Sequence, residues 1–321
     1  MTTVKRAKSF SGDLLLGAYP LDLSEELSRM QSGAYGPFDE NGLPLVDYSQ
    51  WYRRHGIRSS GKPFPTVYTP VTVAQFGLAH HQKFCLTREE KNKEPFLTAA
   101  NWLVENLKPG QDAFWVWKHL FPMPVYRLQP PWVSAMAQGE GVSLLLRAYE
   151  HTKTQAFLAG ARRAFQAYLF PLEQGGVSFF DEEGNVWFEE YPTEPPPHVL
   201  NGMIFALIGL YEFWQMTGDV DAHRLFFSGV LTLIRFLPAY DAGYGSRYDL
   251  LTKRVVDEKY HRIHIAQMRV LFEWTGEELF KRMAEHWESI WNHPIARAKR
   301  AVFPRLTPYW ISMQMKRVLG S

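Results

Sequence analysis

The residues best suited to chemistry lie where segments rich in glycine, proline and aromatic residues interrupt a largely helical sequence. Glu190 is followed directly by Tyr191, and two further tyrosines, Tyr248 and Tyr260, lie in or next to a later segment of this kind. A carboxylate accepts a proton, and a phenol can donate or accept one. These residue types indicate general acid–base chemistry. We expect neighbouring cations to lower the pKa of a reacting tyrosine from its reference value of about 10.

The many aromatic residues indicate the kind of ligand. The chain has 11 Trp and 15 Tyr, and aromatic planes in loops can stack on the apolar faces of sugar rings. A sugar-binding cleft rich in tyrosines and carboxylates supports three reactions. Hydrolysis needs two carboxylates flanking a glycosidic bond. β-Elimination needs a base and a leaving-group acid, whereas epimerisation at C5 of a uronate needs a base and an acid on opposite ring faces. The last two also need a partner for the substrate carboxylate.

Other classes of site are not predicted. The net charge is +2, without the dense basic stripe of a nucleic-acid-binding protein. Neither a glycine-rich nucleotide fingerprint nor a serine-nucleophile elbow is present. The close histidine pairs, His80-His81 and His261-x-x-His264, do not form a recognised zinc-binding motif. Because Cys85 is the single cysteine, we expect no intrachain disulfide and no thiolate zinc site. We therefore expect no metal and no organic cofactor.

An internal repeat indicates how the chemical residues are positioned. Four segments share an aromatic or apolar start, an amide, a small residue, an apolar helical run and a threonine. Each is followed by an amphipathic helical pattern, over residues 88–106, 155–170, 219–237 and 277–293. The amides, which fall 63, 63 and 66 residues apart, are Gln75, Gln138, Asn201 and Gln267.

This repeat predicts an all-α fold, an α/α toroid of about four helical hairpins. An inner helix buried on all sides precedes an amphipathic outer helix in each hairpin. An ordinary helical bundle with accidental similarity is the alternative. The long links from outer to inner helices should emerge at one end, with small β-hairpins, one of them formed by residues 177–180 and 186–188. We expect the active site at that end, because function concentrates in long loops on rigid scaffolds.

Three regions are predicted along the chain. The toroid should span residues 66–295, and residues 1–65, with poor helical periodicity, should form an irregular arm wrapped around it. Residues 296–321 are a basic C-terminal tail or helix. This tail either lies on a membrane surface or packs on the body or a second subunit. No signal peptide or transmembrane segment is evident, which predicts a cytoplasmic protein.

Several unusual strings occur in a fixed order between about residues 66 and 290. They are Trp132-Val133-Ser134-Ala135-Met136-Ala137-Gln138-Gly139, Phe188-Glu189-Glu190-Tyr191-Pro192-Thr193, Val199-Leu200-Asn201-Gly202, Leu210-Tyr211, Tyr248-Asp249-Leu250 and Tyr260-His261-x-x-His264-Ile265-x-Gln267. Together they resemble the heparosan D-glucuronyl C5-epimerase family, whose members convert D-glucuronate to L-iduronate within a polysaccharide. The resemblance implies the C-terminal α/α catalytic domain of that family.

The resemblance also implies roles for individual residues. Tyr191, Tyr248 and Tyr260 match the family's three catalytic tyrosines, and Glu190 matches its catalytic acidic residue. Asn201 matches an asparagine that contacts substrate. The implied partner is an acidic polysaccharide, a heparosan-like glucuronate polymer, and the family suggests a homodimer.

The sequence departs from the family in two respects. Leu251 stands where the family has an arginine, three residues after the tyrosine that Tyr248 matches. We expect Arg254 to supply the missing cation, with Arg247 and Arg262 as alternatives. Animal members carry a membrane anchor and a calcium-binding β-rich domain, which this chain is too short to hold, so we expect neither.

The expected mechanism is removal of the C5 hydrogen by Glu190, Tyr191 or Tyr260 and reprotonation from the other face by another of them. Tyr248 and Arg254 would hold the carboxylate. Glu189 is expected to be solvated. Further residues expected to contact substrate, with packing or helix–helix hydrogen bonding as the alternative for each, are His261, His264, Trp187, Trp132 and Gln138. A polysaccharide lyase or glucuronyl hydrolase on the same toroid, or a non-catalytic glycan-binding subunit, remain alternative functions.

Overall fold

The computed structural model describes residues 14–54, 64–110 and 114–302, and these are mostly helical. Two short helices, α1 (Ser24–Gln31) and α2 (Ser49–Arg54), precede four helical hairpins. In chain order the hairpin helices are α3 (Pro70–Thr87), α4 (Lys93–Asn106), α5 (Ala135–Thr152), α6 (Gln155–Phe165), α7 (Leu200–Thr217), α8 (Val220–Phe236), α9 (Glu258–Thr275) and α10 (Glu278–Trp291). A last helix, α11, spans Pro294–Val302.

The first helix of each hairpin is an inner helix. Along α7 every residue from position 200 to 213 is buried, which explains the nearly continuous apolar sequence there. Consecutive inner helices pack on one another, and each outer helix packs on its own inner partner. The backbones of α5 and α7 touch, since a β-carbon on Gly209 would lie 2.5 Å from the Cα of Gly139. This arrangement confirms the predicted all-α fold of inner and outer helices.

The two ends of the toroid differ as the sequence predicts. Each inner helix ends at a residue with positive φ, and a short turn leads from it to the outer helix. These turn residues are Arg88, Lys153, Gly218 and Gly276. The long return links, at the opposite end, carry two antiparallel hairpins: β1 (Lys108–Pro109) with β2 (Trp115–Val116), and β3 (Ser178–Phe180) with β4 (Val186–Phe188). The predicted hairpin is thus confirmed, with Phe179 opposite Trp187.

The N-terminal segment contains helices where the sequence predicts an irregular arm. Helix α1 buries Leu27 and Met30 in the main core and packs on α3. It is also joined to α9 by an ion pair between Lys259 and Glu26, 2.7 Å apart. The helix therefore bridges the first and last inner helices. The helix has eight residues and buries two of them, and two apolar positions are too few to reveal helical periodicity in the sequence.

Parts of the sequence predictions lie outside the described residues. These parts are residues 1–13 and 55–63 of the arm and residues 303–321 of the basic tail. In the described part of the chain, no helix combines the length and the apolar character needed to cross a bilayer.

Candidate active site

A cavity of about 440 Å³ opens where the inner helices begin. All four inner helices line it with residues of their first turns, or of the caps before them, and α1 contributes a further wall. Three of these helices have a side-chain cap, supplied by Thr69, Ser134 and Asp257. Helix N-termini carry partial positive charge, so the converging ends favour an anionic ligand.

Glu190 presents its carboxyl group to this cavity. The residue follows β4 by two positions, and the Tyr248 hydroxyl donates to its Oε1 at 3.3 Å. The second oxygen, Oε2, is buried and has no hydrogen-bond partner among the described residues. Burial raises the pKa of Glu190 to about 7, although the nearby Tyr191 and Tyr248 hydroxyls act in the opposite direction. A carboxyl group with this pKa can gain or lose a proton near neutral pH.

Three tyrosines surround this carboxyl group. The Tyr191 and Tyr248 hydroxyl oxygens are 3.5 Å apart, and the Tyr248 and Tyr260 rings meet edge to face with centroids 5.4 Å apart. Burial, and after it the charge of Glu190, raises the pKa of all three phenols. Arg254 lowers the pKa of Tyr260, as expected of a neighbouring cation, but burial outweighs it, so the pKa of each phenol is raised and not lowered. The phenols are neutral at physiological pH, which makes them proton donors.

Arg254, the cation expected first, does not line the cavity, whereas Arg262, one of the two alternatives, does. Arg254 is exposed, its guanidinium carbon lies 4.8 Å from the centroid of the Tyr248 ring, and it is outside the described set of lining residues. Lys259 and Arg262, from the first turns of α9, do line the cavity. Arg247, the other alternative, donates to the carbonyl oxygen of Ala239.

Two of the predicted substrate-binding residues lie in the cavity wall. Trp132 stacks on His119 with ring centroids 3.9 Å apart and donates from Nε1 to the Phe121 carbonyl oxygen. Asn201, in the first turn of α7, has a buried Oδ1 that no described residue bonds. Such an unpartnered acceptor beside a cavity is available to a ligand.

The other predicted substrate-binding residues lie elsewhere. Gln138 accepts from the Trp117 N–H and donates to two backbone carbonyl oxygens. Trp187 is buried and stacks on His198 with centroids 4.0 Å apart.

His261 and His264 are fully buried, and both contact the Ser246 hydroxyl at 2.8 Å. Because both side chains are buried away from the cavity, the expectation that His261 and His264 contact substrate is corrected. His261 follows Tyr260, but one residue along a helix rotates the side chain by about 100°, away from the cavity.

Glu189 also differs from its prediction. It is 1% exposed rather than solvated, and its Oε1 lies 2.5 Å from Nδ1 of His198. Alternation along the chain after β4 thus directs one carboxyl group into the protein and the next, Glu190, into the cavity.

Several residues of the site carry no assignment from the sequence. Tyr126 stacks on Tyr191 with centroids 4.3 Å apart and donates to Asp249 at 2.9 Å. Asp249 occurs in one of the family strings, Tyr248-Asp249-Leu250, and that string is a reason to place it at the site. Tyr48, Tyr35 and other lining residues come from the N-terminal segment, where no sequence pattern pointed to them.

A buried acid with a pKa near 7, beside neutral phenols in an open cavity, defines a candidate proton-transfer site on a helical toroid. A family model of the D-glucuronyl C5-epimerase C-terminus matches residues 111–289, more than half of the chain. The chain belongs to this family, which confirms the resemblance in the sequence strings.

Two known relatives are about one-third identical to the chain. It is 34% identical over 228 residues to the D-glucuronyl C5-epimerase of Caenorhabditis elegans, a match that covers 62% of this chain and 35% of that protein. It is 36% identical over 214 residues to the uncharacterized protein MJ1128 of Methanocaldococcus jannaschii, with coverage of 62% and 69%. The chain thus spans about a third of the length of the nematode relative.

Solved structures show only distant likeness. The unsaturated glucuronyl hydrolase of Bacillus sp. GL1 has a TM-score of 0.45 and 12% identity, covering 68% of this chain and 61% of that one. A family 76 glycoside hydrolase from a bovine Bacteroides thetaiotaomicron strain has a TM-score of 0.43 and 14% identity, with coverage of 67% and 46%.

Proposed function

We propose that the protein is an epimerase that inverts C5 of D-glucuronate residues within a polysaccharide and yields L-iduronate. Membership of the epimerase family supports the reaction class. The observation that carries the proposal is the Glu190 carboxyl group, which has a pKa of about 7 and lines the cavity beside three neutral phenols. Proton removal and return at C5 need no organic cofactor.

Glu190 is the base in this proposal. The C5 hydrogen of a uronate is weakly acidic because only the adjacent carboxyl group can accept the charge left on the carbon. A carboxylate with a raised pKa is a stronger base than an ordinary one, and it remains ionised in half of the molecules at pH 7. The unpartnered Oε2 is the atom that takes the hydrogen of the C5–H bond, as a proton.

Tyr191 donates a proton to the opposite face of C5. After this step Glu190 is protonated and Tyr191 is a phenolate, so the site must be reset. The Tyr248 hydroxyl lies between them, 3.3 Å from Glu190 Oε1 and 3.5 Å from the Tyr191 hydroxyl oxygen. Proton transfer through Tyr248 returns Glu190 to the carboxylate and Tyr191 to the phenol, with no net gain or loss. Tyr260, whose ring contacts Tyr248, is the alternative donor.

The substrate carboxylate must be held as negative charge develops on it. The N-terminal ends of the inner helices and Lys259, which also pairs with Glu26, supply positive potential at the cavity. Arg262, largely exposed and paired with Glu25, attracts the anionic polymer to the cavity. Arg254 contributes at longer range through its position over the Tyr248 ring. Asn201 and Trp132 contact the sugar, the amide by hydrogen bonding and the indole by stacking.

Incubation with heparosan in deuterated water tests the proposal. We expect deuterium at C5 and the appearance of iduronate signals in the NMR spectrum, without chain cleavage. Ultraviolet absorbance from an unsaturated uronate would indicate a lyase instead, and new reducing ends would indicate a hydrolase. Binding without solvent exchange would indicate a glycan-binding subunit. If the wild-type protein exchanges no hydrogen with heparosan, its N-sulfated form or chondroitin, the proposed activity is wrong.

A further inference from the structure

Three metal-binding side chains meet at the end of the toroid opposite to the cavity. His81 and Cys85 lie in the last two turns of α3, and His151 lies near the end of α5. Because both helices begin at the cavity, their C-terminal ends lie about four turns away from it. None of the three residues lines the cavity, so this cluster is separate from the proposed active site.

The distances in the cluster suit a metal ion. Nε2 of His81 is 2.8 Å from Nε2 of His151 and 3.6 Å from Sγ of Cys85. One ligand atom from each residue can be chosen so that all lie within 4.8 Å of one another. In tetrahedral zinc sites the bond lengths hold two nitrogens roughly 3.3 Å apart, and nitrogen and sulfur roughly 3.6 Å apart. The two Nε2 atoms would have to move apart by about 0.5 Å to reach this geometry.

The local environment permits metal binding. A metal ion binds an imidazole in its neutral form and a cysteine as the thiolate, so binding would displace the Cys85 proton. The nearest buried cation, Arg147, is already paired with Glu212 at 2.6 Å. Cys85 and His151 are partly exposed, which gives an ion a route in and leaves a fourth position for water.

We propose that His81, Cys85 and His151 form a zinc site that joins α3 to α5. The sequence carries no metal-binding motif, because the third ligand comes from another repeat and folding alone brings it to the other two. A thiolate with two imidazoles selects zinc or another borderline-soft transition ion over magnesium or calcium. The ion would link two inner helices that carry cavity residues at their other ends, and it would keep one open position for water.

Cobalt substitution tests the site directly. The 321-residue chain is treated with a chelator and titrated with Co²⁺, then with Zn²⁺. We expect one Co²⁺ per chain, with the intense visible bands of tetrahedral cobalt and a thiolate charge-transfer band, both abolished when Zn²⁺ displaces it. Zinc should also raise the melting temperature, because it binds the folded state.

Variants separate this site from adventitious binding. Cys85→Ser should remove the charge-transfer band and weaken zinc binding at least tenfold, and His151→Gln should weaken it similarly. His293→Gln, at an exposed histidine before α11, is the matched control and should change neither. Circular dichroism checks folding, and if Cys85→Ser fails to fold, His151→Gln decides the outcome. A wild-type spectrum without tetrahedral bands, or bands that persist in a folded ligand variant, would overturn the proposal and leave a hydrogen-bonded histidine pair.

Discussion

The side chain of Glu190 lies against the backbone of Gly202, in the first turn of α7. A β-carbon on Gly202 would be 2.5 Å from Oε2 of Glu190 and 2.6 Å from its Cβ. Glycine at this position therefore lets the carboxyl group approach the helix N-terminus that faces the cavity. This contact brings the family string Val199-Leu200-Asn201-Gly202, at the start of α7, next to Glu190, which follows β4.

Substituting alanine at Gly202 should displace the Glu190 carboxyl group. We expect Gly202→Ala to lower kcat for epimerisation by roughly tenfold or more, since misplacement of a reacting group by about 1 Å can cost about a hundredfold in rate. The measurement is deuterium incorporation at C5 under saturating substrate. The matched control is Gly160→Ala on α6, where the new β-carbon would meet only side chains, the nearest at 3.1 Å. Equal activity of both variants would contradict this role of Gly202.

Removing the base should abolish exchange. Glu190→Gln retains the size of the side chain and one oxygen that can accept from the Tyr248 hydroxyl, but it cannot accept the C5 proton. We expect the rate of C5 exchange to fall by about 10²- to 10⁴-fold, the usual contribution of a general base. Glu183→Gln, at an exposed position in the β3–β4 turn, should retain full activity. Exchange at the wild-type rate in a folded Glu190→Gln protein would show that another group is the base.

The pH profile should follow the ionisation of Glu190. The acid form cannot accept a proton, so kcat/KM should fall as pH decreases through about 7, by about tenfold per pH unit below it. An ordinary glutamate would place this fall near pH 4.5. The profile is measured by C5 exchange between pH 5 and 9, with melting temperatures recorded at each pH. A profile that is flat down to pH 5 would contradict the assignment.

Removing the phenol of Tyr191 should separate proton removal from inversion. In Tyr191→Phe the ring can still stack on Tyr126, but the donor to the second face is lost. We expect deuterium to enter C5 of glucuronate through Glu190, while iduronate formation falls at least a hundredfold. NMR distinguishes the two epimers. Tyr149→Phe, on α5 away from the cavity, is the control, and the same pattern in Tyr260→Phe instead would assign the donor to Tyr260.

The cavity cation Arg262 should affect substrate binding more than the chemical step. Its ion pair with Glu25 joins two largely exposed side chains and contributes less than about 1 kcal/mol to stability. We expect Arg262→Ala to raise KM roughly threefold to tenfold, about 1 kcal/mol of binding free energy, with kcat nearly unchanged. Arg269→Ala is closely matched, since Arg269 lies on α9 and forms an exposed ion pair with Glu288. An unchanged KM in Arg262→Ala would exclude the cation from substrate binding.

The sequence alone determined the helical hairpins and the segments that carry the site. The inner helix α7 is a nearly continuous apolar run because it is buried on all sides. The regular spacing of the amides in the four inner helices indicates a repeated unit. The β3–β4 hairpin could be predicted from strand and turn residues that act locally. Glu190, Tyr191 and Tyr260 could be selected because the strings that contain them are short and contiguous.

Only the tertiary structure decided which side chains share a space. Tyr260 faces the cavity whereas its neighbour His261 faces Ser246, a difference set by helix rotation and packing rather than residue type. Burial raises the pKa of the phenols, and burial depends on every element packed around them. The approach of His151 to Cys85 likewise joins two repeats whose distance in the sequence gives no measure of their distance in the fold.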